Sequence, residues 1–146
     1  MRMKRTHWIL IAAAFAVVAM AAVAMQMKMT PPDDLDTARS KPSEQKHYVA
    51  TVTPEEEPLR QGELHAWVLT LTTPDNKPVE GATIAVDGGM PQHGHGLPTS
   101  PQMTSYLGDG RYRIEGVKFN MAGWWALKFA ISAPPGDDRV TFNLVL

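Results

Sequence analysis

The sequence predicts an all-β domain, an immunoglobulin-like antiparallel β-sandwich of about seven strands, preceded by one N-terminal transmembrane helix or signal segment. Three observations carry this. An unbroken apolar run of 18 residues, Trp8–Met25, lies near the N-terminus. From His47 onward the apolar residues recur at period two, the mark of half-buried strands. Clusters of Pro, Gly, Asn and Asp separate the alternating runs, and no soluble amphipathic helix interrupts them.

Residues 1–25 form the membrane-directed segment. Arg2, Lys4 and Arg5 precede the apolar run, and no charge interrupts it. As a helix it is about 27 Å long, close to the thickness of a bilayer core. Two readings stand: a signal anchor that stays in the membrane, or a secretory signal peptide cut after Ala22-Val23-Ala24. Both put the basic end in the cytoplasm and the rest outside. The expected location is therefore the cytoplasmic (inner) membrane, single-pass, with the domain on the periplasmic or extracellular side. The cleaved alternative is a secreted protein.

Residues 26–46 contain three Pro, four acidic and four basic residues, with few large apolar ones. Such a stretch buries too little apolar surface to offset its ordering entropy, so a flexible linker is expected. The domain proper is expected over residues 47–146.

Within it, His47–Thr53 is β-branched and aromatic. Glu63–Thr73 alternates, with Trp67, Leu69 and Leu71 on one face. Ala82–Val86 is a short strand that puts Ala82, Ile84 and Val86 on one face. The Gly108-Asp109-Gly110 turn leads into Arg111–Ile114, and Tyr112 is expected to pack at a sandwich corner. Val117–Phe119 extends that strand or forms another. Trp124–Ile131 alternates strictly, so Trp125, Leu127, Phe129 and Ile131 face inward and Trp124 outward. Val140–Leu146 places Val140, Phe142, Leu144 and Leu146 inward. Residues 87–105, rich in Gly and Pro, are expected to form a long irregular functional loop.

Charge and composition exclude several classes. With 14 Lys+Arg against 15 Asp+Glu, the net charge is −1. A nucleic-acid binder needs a basic surface instead. The absence of cysteine excludes thiolate catalysis, disulfide frameworks and iron–sulfur clusters. No nucleophile elbow, metalloprotease helix or phosphate loop is present, so the chain is not expected to be an enzyme.

What chemistry the sequence carries sits in the 87–105 segment and one later turn. His93 and His95 form a His-Gly-His pair, and residues two apart in extended backbone project to the same side. Met90 precedes the pair and Met103 follows it. Met121 lies in the turn before Trp124. These are the only methionines after residue 46. Thioether sulfur suits Cu(I), and imidazole binds either copper oxidation state. The expected metal site is therefore Met90, His93, His95, Met103 and Met121, with copper as the ion and Trp124 as a cover for it. The alternative is that the loop packs without metal and presents itself to a partner protein. His47 and His65, both in strands, are expected to be structural.

The runs Pro78-Val79-Glu80-Gly81-Ala82, Gly89-Met90-Pro91-Gln92-His93-Gly94-His95-Gly96, Gly108-Asp109-Gly110-Arg111-Tyr112 and Phe119-Asn120-Met121-Ala122-Gly123-Trp124-Trp125 resemble the YtkA-like/FixH-like family of exported or membrane-anchored bacterial domains. The resemblance covers roughly residues 47–146. It implies an immunoglobulin-like sandwich. It also implies, through the FixH branch, a partner protein in metal handling or in assembly of a copper-containing respiratory oxidase.

Overall fold

The computed structural model describes residues 5–146, leaving aside the side chains of residues 5, 6 and 26–29. Arg2 and Lys4 of the expected basic flank lie outside the described residues, as does the side chain of Arg5. The chain divides into two units, one ending at Pro31 and one running from Pro32 to Leu146.

The first unit is helix α1, Arg5–Met29. Its described side chains, His7–Met25, are all exposed, and this stretch is long and apolar enough to cross a membrane. A helix satisfies its own backbone hydrogen bonds, which is the condition for lying in lipid.

The second unit is an antiparallel sandwich of two sheets. The first sheet has the order β1 (Ser40–Pro42), β2 (Val49–Pro54), β3 (Leu64–Thr72), β7 (Arg111–Lys118), β6 (Gln102–Gly108). The second has the order β5 (His95–Gly96), β4 (Thr83–Met90), β8 (Trp124–Ser132), β9 (Asp138–Val145). The core forms between their inner faces. Trp67, Leu69, Leu71, Ile84, Ile114, Trp125, Leu127, Phe129, Ile131, Val140, Phe142 and Leu144 are buried, as the alternation predicts. Val86 and Leu146 are half-buried at its margin, and Tyr48, Ala50, Val52, Val117 and Phe119 complete it. Trp124 faces away from Trp125 and donates its indole N–H to Asn143 Oδ1 at 3.0 Å.

Tyr112 takes the corner position. Its hydroxyl donates to the Val79 carbonyl at 2.7 Å and accepts the Ala82 N–H at 3.1 Å. One phenol on the first sheet thereby pins the segment that crosses to the second.

Two expectations are corrected. The tether expected over 26–46 is ordered at its two ends, while residues 30–39 hold no helix or strand. Residues 26–29 continue α1, and Ser40–Pro42 pairs with β2 in the register Ser40↔Thr51 to Pro42↔Val49. Ser43 and the backbone of Gln45 and His47 then bind the buried carboxylate of Asp138, at 2.5, 2.9 and 3.1 Å respectively. Backbone pairing and one polar latch hold this segment, so its poverty in apolar residues did not predict its order. The irregular loop expected over 87–105 is mostly strand. β4 runs on to Met90, turns back as β5, and β6 starts at Gln102.

Candidate metal centre

The glycines of the Asp87–Gly96 stretch make a tight hairpin possible rather than breaking the strand. A β-carbon on Gly89 would stand 2.3 Å from the His95 carbonyl oxygen. Only glycine lets β5 approach β4 this closely. The turn closes through the N–H groups of His93 and Gly94, both donating to the Met90 carbonyl at 3.1 and 3.0 Å. Met90 and His95 are then direct cross-strand partners, and paired residues project to the same side of a sheet.

The two imidazoles lie together, with ring centroids 5.7 Å apart and planes 31° apart. Metal–imidazole bonds are about 2 Å long, so two rings on one ion place their centroids about 5–6 Å apart. The observed spacing fits shared ligation. His95 Nδ1 sits 3.3 Å from the Gly96 carbonyl oxygen. Such a contact favours the proton on Nδ1 and leaves Nε2 for a metal. His93 is half-buried and His95 exposed. Beside His95 opens a shallow cleft of about 310 Å³, with Asp87, Lys128 and Met90 among its lining residues.

The turn before β8 lies against this hairpin. The ε-methyl of Met90 comes within 3.0 Å of where a β-carbon on Gly123 would stand. Trp125 links the two segments. Its indole N–H donates to the Met121 carbonyl at 3.0 Å, and its ring meets His95 edge-on at 6.1 Å. Met121 itself is 37% exposed. The hairpin carrying Met90, His93 and His95 and the turn carrying Met121 therefore meet at one end of the sandwich.

Three placements differ from expectation. Met90 is 1% exposed and belongs to the core. Met103 sits in the opposite sheet, paired with Ile114 and half-buried against the core, where packing accounts for it. The indole that meets His95 is Trp125, not Trp124, because the inward face of β8 points toward the hairpin. The sequence reading assigned the cover to Trp124, and the alternation that turns Trp125 inward was the signal that could have moved it.

The other two histidines of the sandwich are held by local contacts. His65 is buried, and its Nε2 lies 2.9 Å from the Arg60 carbonyl oxygen. His47 Nδ1 lies 3.8 Å from Asp138 Oδ2 at the Ser43 latch. Among the described residues, no three His, Cys, Asp or Glu side chains are grouped to hold a metal.

A family model described as YtkA-like matches residues 42–130. No curated protein and no solved structure matches the chain. The family match runs from the last residue of β1 through most of β8, including the hairpin and the Met121 turn, and leaves β9 outside it. The chain belongs to the YtkA-like family.

Proposed function

We propose that this chain is a membrane-anchored, non-catalytic module that binds Cu(I) on the outer face of the cytoplasmic membrane and delivers it to a partner there. His93 and His95 are the primary ligands, and Met121 supplies sulfur from the facing turn. Met90 seats the hairpin on Gly123, and Met103 takes no part. The observation that carries this reading is the 5.7 Å spacing of two imidazoles on one hairpin, directly beside a methionine-bearing turn. The donor set is soft and neutral, which favours Cu(I) over hard cations such as Ca²⁺ and Mg²⁺. Two imidazoles and one thioether leave the ion open on one side, as transfer to another protein requires.

The test is a competitive Cu(I) titration of the full chain in detergent micelles. His93→Ala with His95→Ala is expected to remove most of the binding. His47→Ala, His65→Gln and Met103→Leu leave it in place, and Met121→Leu weakens it more than Met90→Leu does. Affinity falls as the pH is lowered, because a ligating imidazole must be neutral. Unchanged affinity in the double variant would overturn the copper reading and favour a metal-free interaction module.

A further inference from the structure

An edge strand presents unpaired N–H and C=O groups to any other strand, and short length, proline, bulges or a covering segment are what prevent such pairing. Most edges of this sandwich are guarded in one of these ways. β1 is three residues long and ends in Pro42. β6 is bulged twice against β7, between Met103 and Ser105 and between Tyr106 and Gly108. The segment before β2 lies along β9: the Glu44 N–H donates to the Arg139 carbonyl at 2.9 Å, and Asn143 Nδ2 donates to the Asp36 carbonyl at 2.8 Å.

The edge of β4 is left open. β5 pairs with it only at Gly89 and Met90, and the Leu97 N–H donates to the Gly88 carbonyl at 3.1 Å. Among the described residues, no strand pairs with Thr83–Asp87 on that side. On its other side this stretch runs against Ser132–Lys128 of β8 without a bulge. Backbone groups alternate in direction along a strand. With the Gly88 carbonyl facing the β5 side, the N–H and C=O of Val86 and Ile84 face it too. The stretch holds no proline and no lysine, and its one charge is Asp87.

This open window is complementary to itself. Leu97 closes one end. At the other, the Ala82 N–H is held by the Tyr112 hydroxyl at 3.1 Å, where the chain leaves for the first sheet. The residues between are centred on Ala85. Two copies laid antiparallel about Ala85 set Ile84 opposite Val86 of the other copy, and Val86 opposite its Ile84, each pair exchanging both backbone hydrogen bonds. Thr83 then opposes Asp87 of the other copy, so no like charges meet. Ala85, exposed, meets its own counterpart, and half-buried Val86 is covered. We propose that the protein forms a two-fold dimer by pairing β4 with β4 of a second copy, which joins their second sheets into one. The paired stretch is short, so the dimer is weak and concentration-dependent. It is independent of metal binding.

The chain has no cysteine, so an introduced thiol can be cross-linked without background. Ala85→Cys puts two thiols on the two-fold axis with Cα atoms about 4.5 Å apart, within disulfide reach. Ala130→Cys is exposed on the same face one strand inward, and its two thiols would lie about 14 Å apart. The full chain in detergent micelles, oxidised with diamide, is expected to cross-link several-fold faster through residue 85 than through residue 130. Equal rates, or the reverse order, overturn the proposal. Sedimentation of the full chain in density-matched detergent is the second measurement. The dimer fraction is expected to rise with concentration and to be lost in Ala85→Lys, where two like charges would oppose each other. Thr83→Lys faces Asp87 of the other copy and is expected to retain or strengthen the dimer. A wild-type chain that stays monomeric, or a dimer unchanged in Ala85→Lys, overturns the proposal.

Discussion

The ε-methyl of Met90 fills the space that a side chain on Gly123 would need, 3.0 Å from its β-carbon position. Gly123 also has a φ of +122°, a conformation that side-chain-bearing residues rarely adopt. This contact seats the histidine hairpin on the Met121 turn. Gly123→Ala is expected to destabilise the protein by about 1–3 kcal/mol through backbone strain and displacement of Met90. Chemical denaturation measures it. Wild-type stability in this variant would mean that the turn and hairpin are not locked together.

The adjacent tryptophans separate core from surface. Trp125 is fully buried against Phe119, with ring centroids 5.4 Å apart, whereas Trp124 faces outward. Trp125→Ala is expected to cost roughly 3–5 kcal/mol, and Trp124→Ala clearly less. Equal losses on denaturation would mean that the register of β8 is wrong by one residue.

Asp138 gives the fold a pH dependence. Burial pushes its carboxyl upward, but hydrogen bonds from Ser43 and from the N–H groups of Gln45, Arg139 and His47 outweigh this and hold it below its ordinary value of 3.8. A carboxylate with a depressed folded pKa adds stability above its unfolded value and loses it as pH falls through the folded one. Melting temperature is expected to drop as pH falls below about 4. Asp138→Asn is expected to lose about 2–4 kcal/mol at neutral pH and to flatten that acid limb. An unaltered acid limb in the variant would remove Asp138 from the account.

Membrane topology is tested by a reporter fused after Leu146 that is active only when exported. Activity is expected, and the mature mass is expected to retain residues 1–24. Cytoplasmic activity would contradict the location, and loss of those residues would contradict the anchor.

Much of the fold was legible because its signals are local. The alternation Trp125, Leu127, Phe129, Ile131 sets one face of β8 without reference to any other strand. Tyr112 was legible because a Gly-Asp-Gly turn feeds a strand carrying it. What escaped depends on distant partners. Residues 40–46 contribute backbone bonds and a serine to Asp138, about ninety residues later in the chain, and composition carries no trace of that. Gly88 and Gly89 read as breaks, yet they allow close approach of neighbouring backbones. At the site, the sequence reading paired the two imidazoles through extended backbone, whereas His93 and Gly94 lie in the turn after Met90, with Gly94 at a φ of 69°, and that turn brings the rings to 5.7 Å. Nothing in it revealed that Met103 would turn to the opposite sheet, since that follows from β6 pairing with β7.

The most direct test of the central claim is the X-ray absorption spectrum of the Cu(I)-loaded full chain. The account predicts a mixed shell of imidazole nitrogen and thioether sulfur around copper. In Met121→Leu the sulfur contribution should shrink while the imidazole scattering stays. A chain that retains no copper, or a shell with no sulfur that is identical in wild type and Met121→Leu, would contradict it.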